Sequence, residues 1–451
     1  MDKRTSPRIP RMNVQTPPPR GPRLHKNPRQ VALNILMEME RQGSYAALSL
    51  DKHLSQSNLM GPDRRLAAAL VLDVTENRLK LDYAIDCFLT REQNDPLVRS
   101  VLRLGACQIL LYDRVPDSAA VNECVNLVKA QGLEPLSGFI NGVLRTLSRE
   151  KAVLPWPKPE EGSRYLSIMY SMPQWLVEEL TADYGPQEAE AILSWRPQSH
   201  SIPLRPNMTR LDDGGFEKLL AKKVWQWEKG PVAHSYLISG AVDISGDRDF
   251  RRGMYSIQGP SSMRCAQTVG VKPGMQVLDC CAAPGGKAAY LAEAMAGTGR
   301  VYAWDIHPHR VDLIQAAARR LGLENLRPAV RDATVFKSEL EGRMDAVLLD
   351  APCTGLGVML EKPDVKYRHA PEDLAALVKT QQALLETCCR YVKKGGTLVY
   401  STCSILKKEN QAQMDGFMAR HPEFVAAEGG RQLLFHRDGL DGFYIMKLIR
   451  H

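Results

Sequence analysis

The second half of the chain contains carboxylates and thiols at the ends of short apolar runs. Asp350 and Cys353 follow one such run, Cys403 follows another, and Asp305 and Asp332 follow two more. A deprotonated thiol is a strong nucleophile, and a carboxylate can orient a ligand or move a proton. Taken singly, each Asp could instead cap a helix or form a turn, and each Cys could be a small buried hydrophobe. Convergence of all five on one crevice would indicate a reactive site.

A turn of small residues precedes these positions. Residues 275–279 predict a short buried strand, and a helix is predicted from Lys287 onward. Glycines between them would let a ligand lie against bare backbone, and the helix N-terminus offers free N–H groups. By itself such a turn could be only a tight connection between a strand and a helix. The turn comprises Cys281, Ala282, Ala283, Pro284, Gly285, Gly286 and Lys287.

Alternating strand and helix patterns in residues 256–451 predict an α/β, Rossmann-like fold with a doubly wound parallel sheet. Ligands of such sheets bind outside the carboxyl ends of the strands, so the strand-ending residues are expected to converge there. Helices are predicted at 310–321 and 371–392, and an antiparallel pair at 423–449. The predicted strands are 277–279, 300–306, 327–330, 346–350 and 397–401.

The turn indicates which ligand this crevice binds. It lacks the G-x-G-x-x-G pattern of dinucleotide sites, and Gly286-Lys287 is followed by Ala288 rather than by the Ser or Thr of a P-loop. Asp305 lies twenty residues after Gly285, a spacing at which a carboxylate reaches ribose hydroxyls. A ligand with an adenosine ribose, a charged tail and no pyrophosphate fits best. The predicted cofactor is S-adenosylmethionine.

Two cysteines then suggest the reaction. Cys353 and Cys403 end the fourth and fifth predicted strands, which we expect to be neighbours, so both should face one crevice. Attack of a thiolate on C6 of a pyrimidine converts C5 into a carbon nucleophile able to accept a methyl group. Without that addition C5 of cytosine is too poor a nucleophile. The pair beside a methyl-donor pocket therefore favours pyrimidine C5 methylation.

The rest of the chain divides into three regions. Residues 28–150 predict an all-α bundle, and residues 165–255 a small α+β module. Residues 1–27 form a Pro-rich arm. Residues 1–30 contain eight basic residues and one acidic residue, and this composition predicts that the arm is disordered. The arm could hold nucleic-acid phosphates or act only as a solubilising tail. A helical bundle alone could bind RNA, bind protein or serve as a scaffold.

Composition excludes several classes of protein. The 451 residues are 44% apolar, with a net charge of +8, and no stretch approaches the roughly 20 apolar residues that span a bilayer. The N-terminus lacks the apolar core of a signal peptide. The ten cysteines contain no C-x-x-C pair, so reduced thiols are expected. We expect a cytoplasmic monomer with no metal site.

Two resemblances sharpen these predictions. Residues 63–67, 102–108, 114–123 and 138–145 together resemble a NusB-like RNA-binding domain. The C-terminal motifs are similar to those of the RNA cytosine-C5 methyltransferases of the Nol1/Nop2/Sun family. These motifs are Cys-Ala-Ala-Pro-Gly-Gly-Lys at 281–287, Asp-Ala-Pro-Cys-Thr-Gly-Leu-Gly at 350–357, Lys-Pro-Asp at 362–364, and Thr-Cys-Ser at 402–404 followed by Glu409-Asn410.

The resemblance implies specific roles. Cys403 would be the attacking nucleophile, and Cys353 would assist release of the product. Residues 281–287 with Asp305, Asp332 and Asp350 would hold S-adenosylmethionine or the target base, and Asp350 could also favour addition at C6. With a NusB-like domain in front, the arrangement is similar to family members that act on 16S ribosomal RNA. The implied partner is that RNA, unassembled or in a partly assembled small subunit.

Several alternatives remain open on the sequence. DNA cytosine-C5 methyltransferases use the Cys of the fourth-strand motif, which would make Cys353 the attacker. An amino-group methyltransferase would need an Asp-Pro-Pro-Tyr-like motif, which residues 350–353 lack. A transfer RNA or another RNA could be the substrate. The chain could also be a ribosome-assembly factor that binds RNA without turnover. The base that removes the C5 proton could be Cys353, Asp350 or a water.

Overall fold

The computed structural model describes residues 27–197, 201–240 and 242–451. These form two compact units, and the stretch Thr75–Tyr83 belongs to the second unit although its neighbours in sequence belong to the first. Of the predicted basic arm at residues 1–27, only Asn27 lies within the described residues, where it caps the first helix. In the described part of the chain, no helix is both long and apolar enough to cross a membrane.

The first half of the chain is helical, as predicted. Asp95 shows how local sequence starts a helix: its side chain accepts hydrogen bonds from the backbone N–H groups of Leu97 and Val98, and Pro96 takes the first helical position. Buried Val, Leu and Ala side chains pack the helices together. The seven α-helices of residues 28–150 are α1 (Pro28–Gln42), α2 (Ala46–Ser55), α3 (Gly61–Glu76), α4 (Arg78–Asp86), α5 (Pro96–Leu111), α6 (Asp117–Ala130) and α7 (Ser137–Glu150).

Three further helices begin the continuous part of the second unit. They are α8 (Ser163–Met169), α9 (Gln174–Tyr184) and α10 (Pro186–Ser194). Their apolar faces pack against side chains from the loops that follow the later strands, including Leu356 and Ile405. Trp195, just after α10, stacks on Phe435 with ring centroids 6.2 Å apart. These helices therefore support the loops at one edge of the main sheet.

A small antiparallel sheet follows, with strand order β2-β3-β1-β4. β2 and β4 were not predicted, because β2 has few apolar residues and β4 is only three residues long. The sequence also predicts a strand at 234–238, but this strand begins at Tyr236, because His234 has a positive φ of 62° and cannot extend it. The elements are β1 (Ile202–Pro206), α11 (Asp213–Leu220), β2 (Gln226–Lys229), β3 (Tyr236–Ser239), α12 (Arg248–Arg251) and β4 (Tyr255–Ile257).

The main sheet has seven strands in the order β10-β11-β9-β8-β5-β6-β7. β5 to β9 are parallel, and β10 and β11 form the predicted antiparallel pair. This confirms the Rossmann-like α/β prediction. The elements are α13 (Pro260–Val269), β5 (Gln276–Asp279), α14 (Gly286–Ala294), β6 (Arg300–Asp305), α15 (Pro308–Leu321), β7 (Leu326–Val330), β8 (Met344–Asp350), α16 (Pro371–Cys388), β9 (Val392–Thr402), α17 (Gln411–Arg420), β10 (Phe424–Leu433), α18 (Phe435–Asp438) and β11 (Phe443–Arg450).

Successive residues of each strand point to opposite faces of this sheet, as the pleat requires. On β5, for example, Val277 packs into one hydrophobic cluster and Leu278 into the other. Helices α13, α14 and α15 cover the first face, and α16 and α17 cover the second. Both faces are buried, which explains why the parallel strands read as nearly continuous apolar runs.

One predicted boundary was wrong. The helix predicted at 371–392 ends at Cys388, and Val392 already begins β9. Val392 pairs with Met344 of β8, so sheet hydrogen bonding replaces the helix at a position where the apolar pattern suits either structure. β9 then continues to Thr402 through an irregularity near Gly395, which has a φ of 72°.

Candidate functional site

Two cysteines meet at the carboxyl edge of the main sheet. β8 and β9 are parallel neighbours, and their register pairs Asp350 with Ser401. Cys353 lies three residues after Asp350, and Cys403 lies two residues after Ser401. Both cysteines therefore lie in loops that begin at the same level of the sheet. The sulfur atoms of Cys353 and Cys403 lie 3.4 Å apart. The expectation that the fourth and fifth strands are neighbours is thus confirmed, and the two thiols form a pair.

A carboxylate and an ammonium lie beside this pair. Asp350 Oδ1 accepts a hydrogen bond of 2.8 Å from the Ser401 hydroxyl, and its Oδ2 accepts one of 2.7 Å from Lys287 Nζ. Lys287 comes from the first turn of α14, and its ammonium also lies 5.2 Å from the ring centroid of Phe443. Three strand or helix ends therefore contribute charged or polar groups to one place.

These surroundings make the two thiols unequal. A hydrogen bond from Cys353 lowers the pKa of Cys403, and the positive charges of Lys287 and Lys362 lower it further, whereas burial and Asp350 oppose them. The net direction is downward. The same hydrogen bond raises the pKa of Cys353 well above its ordinary value, with burial adding to the effect. Of the two thiols, Cys403 is therefore the one that loses its proton more readily.

Lys287 keeps its charge in this setting. Burial alone would lower the pKa of an ammonium, but the negative charge of Asp350 outweighs burial and raises the pKa of Lys287. A positive charge is thereby held beside the carboxylate, and this charge lowers the pKa of Cys403.

The small-residue turn lines a cavity of about 340 Å³. Gly285 has a φ of 106°, and a Cβ there would lie 3.3 Å from the backbone of Ile314, so the tight turn requires glycine. Lys287 and Asp350 line the cavity too, while the two cysteines lie next to these residues rather than in the cavity wall. The other lining residues include Cys281, Ala282, Ala283, Pro284, Gly286, Gln258, Glu361 and Lys362.

One lining group supports occupation of the cavity by a cationic ligand. Asp279, the last residue of β5, is fully buried, and neither of its carboxylate oxygens has a hydrogen-bond partner among the described residues. Burial raises the pKa of Asp279 to about 8, with the nearby Asp350 adding to the rise. An unpartnered buried carboxyl is costly unless a ligand satisfies it. The ammonium of S-adenosylmethionine has the N–H donors that fit this requirement, and the turn offers its backbone to the rest.

The remaining predicted residues lie along the same edge of the sheet, but not in the cavity wall. Asp305 ends β6 and is buried, and its side chain accepts a hydrogen bond from the backbone N–H of His307 and lies 3.4 Å from Arg310. Asp332 follows β7, is exposed, and accepts hydrogen bonds from the backbone and hydroxyl of Thr334. Their contacts to a cofactor stay a prediction.

Sequence reasoning missed three residues of this region as site residues. Asp279 could have been found as the carboxylate that ends the strand before the turn. Lys362 was noted only as part of a motif, although its charge acts on Cys403. Gln258 belongs to the segment 257–263 just before the main sheet, and the buried Arg205 donates a hydrogen bond of 2.8 Å to its Oε1, which holds it at the cavity wall. That contact joins residues 53 apart in sequence, which no local pattern reveals.

Comparison with known proteins agrees with this geometry. The family model 16S rRNA methyltransferase RsmB/F matches residues 266–449, and the NusB family model matches residues 26–149. The probable ribosomal RNA small subunit methyltransferase B of Bacillus subtilis is 36% identical over 442 residues, covering 93% of this chain and 98% of that protein. The protein of the same name from Synechocystis sp. is 33% identical over 445 residues, with the same coverage of both.

A solved structure shows the same fold over nearly the whole chain. The crystal structure of PH0851 matches with a TM-score of 0.81 and 24% sequence identity, and covers 95% of this chain and 100% of that one. The family, as distinct from the fold, is shown by the two family models and by the relatives at 36% and 33% identity. The chain belongs to the RsmB/F family of 16S rRNA methyltransferases and has a NusB-family domain in its N-terminal part.

Proposed function

We propose that this protein transfers a methyl group from S-adenosylmethionine to C5 of a cytosine in 16S ribosomal RNA, through a transient bond between Cys403 and C6. The observation that carries the proposal is the contact between Cys353 and Cys403 beside Lys287 and Asp350. This arrangement yields a stabilised thiolate next to a cavity suited to a cationic methyl donor. Pyrimidine C5 methylation needs these two features together.

The residues of the chain divide the work of the reaction. The Cys403 thiolate donates its electron pair to C6 of an unstacked cytosine, and the C5–C6 double bond delivers its electrons to C5. Residues 281–287 with Asp279, Asp305 and Asp332 would hold S-adenosylmethionine, which when bound would supply an electrophilic methyl group to C5 and leave as the thioether S-adenosylhomocysteine once its S–CH3 bond breaks. A base then removes the C5 proton, the electrons reform the C5–C6 bond, and the bond to Cys403 breaks. The base candidates are Cys353, Asp350 and water.

Asp350 and Cys353 prepare these steps. Asp350 is fixed by Lys287 and Ser401, so it can hydrogen-bond the base in one orientation and favour addition at C6. Cys353 stabilises the thiolate before attack. After methylation, its contact with Cys403 lets it stabilise the departing sulfur as the bond to C6 breaks. The resemblance to cytosine-C5 methyltransferases implied the role of Cys353 in product release and that of Asp350 in addition at C6. The role of Cys353 before attack is inferred from its contact with Cys403.

The choice of ribosomal RNA as substrate depends on the relatives. Proteins at 33–36% identity over 93% of the chain are named ribosomal RNA small subunit methyltransferase B. The NusB-family domain adds a helical module of a kind that binds RNA. We infer that the chain acts on small-subunit RNA before or during assembly, because a flipped cytosine must be reachable from solvent.

Separate replacement of the two cysteines tests the mechanism. With 16S RNA and S-adenosylmethionine, Cys353→Ala should accumulate a covalent protein–RNA adduct that survives denaturing electrophoresis. Cys403→Ala should form no adduct and should lose methyl transfer to below detection. Bisulfite mapping of the RNA identifies the modified cytosine.

Other results would reject parts of the proposal. An adduct that accumulates in Cys403→Ala and is absent in Cys353→Ala would make Cys353 the nucleophile, as in the DNA enzymes. Methylation of transfer RNA in preference to 16S RNA would change the substrate. Tight RNA binding with no methyl incorporation into any RNA would indicate an assembly factor without turnover.

A further inference from the structure

A buried carboxylate lies behind the two cysteines. Glu409 is completely buried, and its side chain accepts hydrogen bonds from the backbone N–H of Thr354 at 2.9 Å and from the Thr354 hydroxyl at 2.6 Å. The hydroxyl of Ser404 and Nε2 of Gln381, at 3.0 Å, donate two more. Within the described ranges 27–197, 201–240 and 242–451, no basic side chain forms an ion pair with it. Four donors match the acceptors of an ionised carboxylate.

These hydrogen bonds join the two loops that carry the sulfurs. Thr354 directly follows Cys353, and Ser404 directly follows Cys403, so one carboxylate holds the residue next to each thiol. The two hydroxyls also contact each other at 3.1 Å. Thr354 and Ser404 lie beyond the ends of β8 and β9, so the pairing of these two strands does not include them. The carboxylate therefore acts as a clamp across the two strand ends.

We propose that Glu409 is a positioning residue for the cysteine pair, whose carboxylate clamps the loop after Cys353 to the loop after Cys403 and so keeps the two sulfurs in contact. The value of that contact for catalysis rests on the proposed function. The clamp itself is a property of the free protein and can be measured without RNA or cofactor.

The charge of Glu409 reinforces this positioning. It raises the pKa of Cys353, after the larger effects of the hydrogen bond to Cys403 and of burial. On the opposite side, Lys287 and Lys362 lower the pKa of Cys403, against burial and Asp350. The negative charge behind one sulfur and the positive charges near the other both favour Cys353 as the sulfur that keeps its proton. Geometry and charge thus favour the same thiolate.

Two substitutions separate the two contributions. Glu409→Gln keeps the shape and one oxygen but removes the charge, and the two hydroxyls can rotate to accept from the new amide. Glu409→Ala removes both the charge and the clamp. Thr354→Val keeps the shape of Thr354 and removes its hydroxyl bond to the carboxylate. Asp345→Asn, at the other end of β8, is the matched control, because Asp345 also accepts a backbone N–H, that of Gln276.

The experiment is a pulse of iodoacetamide on the folded free protein at a series of pH values. Peptide mass spectrometry then gives the ratio of labelled Cys403 to labelled Cys353. Wild type and Asp345→Asn should label Cys403 first. Glu409→Gln should lower the ratio by roughly tenfold, the effect of one pKa unit. Glu409→Ala should lower the ratio further and shift the Cys403 profile to higher pH, and Thr354→Val should give a smaller change in the same direction.

The outcomes separate the clamp from the proposed function. An unchanged ratio in Thr354→Val, with the wild-type preference intact, would overturn the clamp and leave the nucleophile assignment standing. An unchanged ratio in Glu409→Gln would overturn the contribution of the Glu409 charge. Wild-type labelling first at Cys353 would overturn that assignment, while the change on substitution still decides the clamp. Loss of thermal stability alone, without a change in ratio, would show that Glu409 serves only the fold and would also overturn the clamp. If Glu409→Ala fails to fold, the other two variants decide.

Discussion

The two ends of β8 carry the same kind of ion pair in different surroundings. At the amino end, Asp345 pairs with Lys393, and their side chains are 19% and 48% exposed. At the carboxyl end, Asp350 pairs with Lys287, and their side chains are 26% and 14% exposed, so the contrast lies in the lysines. Exposed pairs contribute little, because water and salt screen them, whereas partly buried charges act strongly on their neighbours. Residue type alone therefore does not distinguish a structural pair from a site.

The neighbours of each pair account for the difference. Asp345 accepts a backbone N–H from Gln276, and this bond with that of Lys393 outweighs burial and holds the pKa of Asp345 below its ordinary value. The hydrogen bond that Asp345 accepts from Gln276 therefore joins β8 to β5 and has a structural role. Asp350 lies instead where β5, β8, β9 and the start of α14 meet, beside two thiols and a cavity. In parallel sheets only the carboxyl edge brings several loops together, so chemistry concentrates there.

The two ends of β8 should differ most in the rate of methyl transfer when Asp350 and Asp345 are each replaced by Asn. Asp350→Asn should lower the rate of methyl transfer on the order of 10²-fold, because it removes the oriented carboxylate beside the base and the counter-charge of Lys287. Asp345→Asn should leave the rate within about twofold, as expected for the loss of a screened pair. Methyl incorporation at saturating RNA measures both. Equal losses would show that the two ends of the strand do not differ as described.

The second contrast concerns the loop after β8. A Cβ on Gly357 would clash with backbone atoms, because it would lie 1.8 Å from the carbonyl oxygen of Gly442 and 2.8 Å from that of Cys403. Gly357→Ala should destabilise the protein by about 1–3 kcal/mol, as overpacking does, and should lower activity by displacing Cys403. Gly429→Ala, where a Cβ meets nothing within 4 Å, is the control. Equal thermal unfolding midpoints for the two variants would contradict the close packing of these loops.

A third contrast compares the two lysines. Lys287 lowers the pKa of Cys403, so Lys287→Gln should move the alkylation profile of Cys403 to higher pH by about one unit and slow labelling at neutral pH. Lys393→Gln should not change that profile, because its partner lies at the other end of β8. Iodoacetamide labelling followed by peptide mass spectrometry gives both profiles. A shift of equal size in both variants would indicate a general charge effect.

A fourth prediction uses Asp279, which shares the carboxyl edge with Asp350. Its pKa is raised to about 8, so between about pH 4 and pH 8 the folded state keeps a proton that the unfolded state has lost. Its contribution to stability is complete at low pH and disappears as pH rises through 8. Asp279→Asn should flatten the fall in unfolding midpoint over that range, measured without ligand. An unchanged pH dependence would mean that Asp279 is already ionised.

The sequence determined much of the fold and part of the site. Apolar runs buried on both faces, a glycine-rich turn after the first of them and reactive residues at strand ends were enough to predict a parallel sheet. They were also enough to predict the proximity of Cys353 and Cys403. These signals are local or follow from topology, since parallel strands present their carboxyl ends at one edge. The end of α16 was misplaced because Cys389, Tyr391 and Val392 suit a helix and a strand equally.

Tertiary structure alone decided how these residues act. The unpartnered carboxyl of Asp279, the clamp of Glu409 behind the cysteines and the contact of Arg205 with Gln258 join residues distant in sequence. Which thiol holds the proton depends on charges brought near from other loops, and such effects depend on distance and burial. A sequence lists the reactive groups. Only their arrangement in space sets the protonation of each one and the partners that fix it.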